Sequence, residues 1–142
     1  MIGKVLSFYM NESLFGINIT LIKEINRNVE YTPVPDAKPH IVGLFNMRGQ
    51  VVTLFDLSKL LCLKEGAGRQ SSACIILKAM ANDPNHIGFL IDKPGDVIDI
   101  NKDDSEFPPA NVVGMEGEYI SSVVKLNDQL LMIIDPEKIF RP

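Results

Sequence analysis

Ile41-Val42-Gly43-Leu44-Phe45-Asn46, Met47-Arg48-Gly49 and Gln50-Val51-Val52-Thr53-Leu54-Phe55 follow one another without a break. Two apolar, β-branched runs close on a short turn holding a glycine, the pattern of a β-hairpin. Gly49 can take a positive φ and reverse the chain. Behind the second run Asp56 is a good N-cap for a short helix through Leu57-Ser58-Lys59-Leu60-Leu61.

The same style extends both ways along the chain. Upstream, Lys4-Val5-Leu6-Ser7-Phe8-Tyr9-Met10 reads as a strand and Asn11-Glu12-Ser13 as a turn. Phe15, Ile17 and Ile19 then alternate as in a second strand. Thr20 is placed to cap one helical turn before another strand, and Pro33, Pro35 and Pro39 mark a loop. Downstream, residues 64–72 lack apolar periodicity and read as a linker or mobile loop. Strands are expected over 73–79, 87–91 and 97–100, with a polar, Pro-containing loop over 101–111. A second hairpin pairs 120–126 with 130–134, and Asp135-Pro136 opens a capped helix.

These segments form an internal repeat. Residues 51–61 lie over 130–140 with apolar positions coinciding, and each copy carries the capping Asp, as Asp56 and Asp135. Gly16-Ile17-Asn18-Ile19 lies over Gly88-Phe89-Leu90-Ile91, and Glu24-Ile25 over Asp96-Val97. The repeat predicts two small β-barrels within one domain of residues 1–142, with subdomains at about 15–70 and 71–142. The N-terminal strand is a candidate for exchange between them.

Composition agrees with a mainly β class. The 142 residues include 16 Ile and 11 Val but only 6 Ala, so residues suited to a pleated surface outnumber the best helix former. With 46% apolar residues there is material for a core. A balance of 14 basic against 18 acidic residues, net charge -4, opposes nucleic-acid binding, which needs a basic field. It also opposes a polybasic membrane anchor, and no run is long and apolar enough for membrane insertion by a helix. No charged segment followed by an apolar one suggests a secretory signal. Cys62 and Cys74, in apolar surroundings, are expected to be reduced structural residues.

Catalytic patterns are missing: no HExxH, GxSxG, P-loop or GxGxxG follows a strand. His40 and His86 sit in Pro/Asn-rich contexts and read as surface loop residues. The acidic group at 103–106 lacks the ligand spacing of a calcium loop. No enzyme, metal site or cofactor is therefore expected. Arg48 stands out, because a hairpin tip projects its planar five-donor guanidinium outward. The second copy has Asn127-Asp128 there, with neither Arg nor Gly, so the duplicated scaffold does not require it.

The ordered set Phe15-Gly16-Ile17-Asn18-Ile19, Ile22-Lys23-Glu24-Ile25, Pro33-Val34-Pro35, the hairpin from Ile41 through Arg48-Gly49 to Val52, and Asp56-Leu57 resembles the CheW family of chemotaxis coupling proteins. The resemblance covers essentially residues 4–140. It implies two SH3-like five-stranded β-barrel subdomains with short helical turns and no catalysis. It also implies a cytoplasmic adaptor that joins the cytoplasmic tip of transmembrane chemoreceptors to the regulatory domain of a CheA-type histidine kinase, at membrane-associated receptor arrays. Ile22, Glu24 and Arg48 match the family's receptor-binding positions. Thr53 stands where the family commonly has Pro, and Ser121-Ser122 where it often has Gly. Two other readings remain at this stage. One is a small β-barrel module binding peptides or other protein partners in a non-motility signalling array. The other is an oligonucleotide binder, which the 7% aromatic content and negative charge oppose.

Overall fold

The computed structural model describes residues 3–35, 41–57, 73–78, 86–101, 105–106, 120–126 and 129–136. They form eleven β-strands: β1 (Gly3–Met10), β2 (Ser13–Asn18), β3 (Ile22–Asn26), β4 (Ile41–Met47), β5 (Gln50–Asp56), β6 (Ala73–Leu77), β7 (His86–Ile91), β8 (Lys93–Ile100), β9 (Ser105–Glu106), β10 (Ile120–Lys125) and β11 (Leu130–Ile134). The mainly β class is thus the observed one. The expected linker at 64–72, Cys62, His40 and most of the helices behind Asp56 and Asp135 lie outside the described residues.

The chain divides into two compact units. One comprises residues 1–20 and 94–142, the other residues 21–93. The first carries a sheet in the order β8-β1-β2-β11-β10-β9, the second a sheet in the order β3-β6-β7-β5-β4. The repeat seen in the sequence is reproduced residue by residue in the pairing. Parallel β5 and β7 join Leu54 to Gly88, and parallel β11 and β2 join Ile133 to Gly16. Antiparallel β6 and β7 join Ile75 to Phe89, and β1 and β2 join Leu6 to Ile17. The β4–β5 hairpin slips register between Ile41 and Gly43, and β10–β11 between Ile120 and Ser122, at aligned positions.

Each sheet nevertheless draws from both copies of the repeat. β1 and β2 of the first copy join β8, β10 and β11 of the second, while β6 and β7 join β3, β4 and β5. The division expected at 15–70 and 71–142 therefore does not follow the pairing. More than the N-terminal strand is exchanged, because β2 pairs in parallel with β11 and β7 with β5. Parallel neighbours cannot be linked by a tight hairpin, so their partners come from distant sequence.

Two local expectations change. The turn before β3 is a 3-10 turn over Ile19–Leu21, and its cap is Asn18, whose Oδ1 accepts from Thr20 N at 3.0 Å and Thr20 Oγ1 at 2.9 Å. Thr20 is a donor there and not the cap. The polar stretch 101–111 includes β9, which adds a sixth strand to one sheet by pairing Glu106 with Val123. The other sheet protects its matching edge by a bridge from Thr32 to Leu44, with N–O distances of 2.7 and 2.9 Å. Covering an edge in this way blunts unwanted strand addition. Gly43 makes the bridge possible, since a Cβ there would lie 2.5 Å from Thr32 O.

Each unit has its own core. In the first, Val5, Leu14, Ile100, Val124, Leu131 and Ile133 cluster, and Phe8 stacks on Phe15 with ring centroids 6.0 Å apart. In the second, Val29, Phe45, Met47, Val52, Leu54, Cys74 and Ile76 cluster. Full burial of such a side chain is worth about 1.5–3 kcal/mol, so these clusters are what make the short strands cooperative. His86 corrects the surface reading: it opens β7 opposite Val52, is 5% exposed, and its Nδ1 has no hydrogen-bond partner. The aligned position in the first copy is Leu14, a core residue. Burial there is dictated by register and overrides the polarity of the flanking sequence.

Candidate functional site

The β4–β5 hairpin pairs Met47 with Gln50 and so turns on two residues, Arg48 and Gly49. Both have positive φ, 53° and 84°, the combination that matches the twist of a tight hairpin. Asn46 Oδ1 accepts from Gly49 N at 2.9 Å and locks the turn. Gly49 carries no penalty for that φ, whereas Arg48 does. The turn thus holds a bulky cationic residue in a conformation that glycine or asparagine would adopt more easily.

The Arg48 side chain does not simply extend into water. Its Nη1 donates to Glu24 Oε2 at 2.8 Å. Beside it, Lys23 Nζ donates to Gln50 Oε1 at 3.3 Å. Both links run from β3 to the tip of β4–β5, although β3 and β4 are at opposite ends of the strand order. The sheet therefore rolls until its two edges meet at this end, the closure expected of a small barrel.

Of the three residues expected at the receptor-binding site, Arg48 and Glu24 are in direct contact, with side-chain exposures of 75% and 25%. Ile22 lies two residues before Glu24 on the same strand and is half-buried. A register slip between Ile22 and Glu24 marks a bulge in β3 at Lys23, a device that re-aims side chains locally. Lys23, Gln50 and the exposed Val51 (54%) belong to the same end of the unit. No local signal marks this pair, because Lys23 and Gln50 meet only when β3 reaches the hairpin tip, 27 residues on.

Cys74 is buried on β6 opposite Asn26. Burial pushes its thiol up to about 11, with the nearby Glu24 carboxylate adding to the rise and a backbone hydrogen bond from Asn26 opposing it. Such a thiol is a poor nucleophile and a poor metal ligand. Among the described residues no group of three or more His, Cys, Asp or Glu side chains is placed to hold a metal ion. The site consists of an exposed guanidinium held at a defined angle, a carboxylate behind it, and exposed apolar surface beside it.

The family model described as CheW-like domain matches residues 4–142. The chain is 28% identical over 138 residues to "Chemotaxis protein CheW" of Treponema pallidum (strain Nichols), covering 96% of this chain and 81% of that protein. It is 32% identical over 132 residues to the protein of the same name from Bacillus subtilis (strain 168), covering 93% and 83%. Among solved structures, the scaffolding protein TtCheW from Thermoanaerobacter tengcongensis superposes with a TM-score of 0.84 at 26% identity, covering all of this chain and 90% of that one.

Proposed function

The chain belongs to the CheW-like domain family, and on that premise we propose that it works as a chemotaxis coupling adaptor, joining the cytoplasmic tip of a chemoreceptor to the regulatory domain of a CheA-type kinase. The single observation that carries the receptor half of this reading is the Arg48–Glu24 contact at the hairpin tip. It presents the two charged residues expected of a receptor site side by side, and the second copy of the repeat has Asn127 in place of the Arg.

The mechanism is simultaneous occupancy of two surfaces. A receptor carboxylate or backbone carbonyl engages the donors of Arg48 left free by Glu24. The kinase docks elsewhere, and its activity follows the receptor through the shared adaptor. The chain contributes binding and no chemical step. No helix among the described residues is long and apolar enough to cross a membrane. In this reading the receptor contact places the chain at receptor arrays.

Reconstitution tests the reading. Purified chain, a soluble receptor signalling fragment and the kinase should form a ternary complex with altered autophosphorylation, and omission of any one should remove the effect. Failure of the chain to bind either partner rules the role out.

A further inference from the structure

One end of the second unit carries an uneven charge. Lys23 and Glu24 lie at the start of β3, Arg48 at the β4–β5 turn, and Lys78 just past the end of β6. The structure brings them together. Lys78 N donates to Leu21 O at 3.0 Å, Ile22 pairs with Leu77, Lys23 reaches Gln50 and Arg48 reaches Glu24. Among the described residues of this end, three cations face one carboxylate, in a chain whose net charge is -4. Lys23 and Lys78 are exposed. The ammonium of Lys23 is spent on a neutral amide, so its charge is not cancelled.

The other copy of the repeat gives a control within the same molecule. Its alignment puts Gly95 at the position of Lys23, Tyr9 at that of Lys78 and Asn127 at that of Arg48, while the carboxylate persists as Asp96 in place of Glu24. Three cations of one copy are neutral in the other. Lys93 stands where the first copy has Leu21, so the substitution is not wholly one-sided. Folding of the barrel does not require the cationic cluster, since the paired sheet forms without it.

We infer that Lys23 and Lys78, together with Arg48, form a cationic docking end that recognises an acidic protein surface, and that the surface is the receptor's. This rests on the receptor-site reading above and names the partner chemistry for it. The paired Arg48–Glu24 contact fixes direction, while the two lysines supply the unpaired charge that draws the partner in. Charges at the rim of an interface act mainly on association rate and salt dependence.

The test uses the full chain and a soluble receptor signalling fragment, with association and dissociation rates measured at low and high salt. The variants are Lys23→Glu, Lys78→Glu, the double reversal, Arg48→Ala, and Lys4→Glu as a charge-matched control on β1. The double reversal should slow association roughly tenfold or more at low salt, with the difference shrinking as salt screens it, and should leave the melting temperature and kinase binding unchanged. Lys4→Glu should change association less than twofold. If the double reversal does no more than Lys4→Glu, the cationic end is not a docking surface. In that case Arg48→Ala decides separately whether the receptor-site reading stands: weakened binding keeps it, and unchanged binding removes it too.

Discussion

Arg48 Nη1 lies 2.8 Å from Glu24 Oε2, a contact between a β-turn and the opposite edge of its own sheet. It is an exposed pair, so it contributes only about 0.2–1 kcal/mol to stability. Its value is directional, since the paired guanidinium keeps one orientation while most of its surface remains open to a partner.

Substitutions at Arg48 therefore test receptor binding and stability separately. Arg48→Ala should weaken receptor binding roughly tenfold to a hundredfold, the loss of one charge-assisted contact of about 1.5–3 kcal/mol, and should move unfolding by no more than about 1 kcal/mol. Arg48→Gly should lose the same binding while leaving the protein as stable or up to about 1 kcal/mol more stable, because glycine relieves the positive φ. Binding titrations beside denaturation curves check both. Unchanged receptor affinity in both variants would mean that Arg48 only shapes the turn.

Gly43 guards the sheet edge. A Cβ placed 2.5 Å from Thr32 O and 3.0 Å from Thr32 C meets backbone that cannot step aside cheaply. Gly43→Ala should cost about 1–3 kcal/mol. Amide exchange should show the loss first at Thr32 and Leu44, whose bridge it displaces. Wild-type protection at both amides would contradict this account.

His86 is a core position held by a polar ring. Its Nδ1 is buried without a partner, a condition that costs about 1–3 kcal/mol. His86→Leu restores the residue type of the aligned Leu14 and should raise stability by a similar amount, read as a higher denaturant midpoint with the slope unchanged. A destabilised His86→Leu protein would show that the ring makes contacts the leucine cannot replace.

Cys74 should be inert in the native state. Burial raises its pKa from 9.0 to about 11, so a thiol reagent at neutral pH should label it only after unfolding. The raised value also favours the folded state while the thiol is protonated in both states, below about pH 9. Stability should then fall as pH rises from about 9 towards 11, because the unfolded thiol ionises first. Cys74→Val should flatten that part of the pH profile, and an unaltered profile would assign it to other groups.

The sequence by itself determined most of the strands, the β4–β5 turn and the duplication. Periodicity of two and β-branched composition are local signals, and the alignment of residues 51–55 with 130–134 survives in the register of β5 and β11, with matching slips at Ile41/Gly43 and Ile120/Ser122. The family pattern around Arg48-Gly49 was equally legible, since a turn needing positive φ leaves its mark in residue type. Tertiary structure alone decided which strands share a sheet. Parallel pairing of β2 with β11 and of β5 with β7 joins distant segments, and no local signal encodes which copy supplies the partner. It also decided that His86 is core, because burial follows its place opposite Val52. Last, it brought Lys23 and Glu24 to the hairpin tip and set Lys78 beside the start of β3, because rolling the sheet joins edges that the chain keeps far apart.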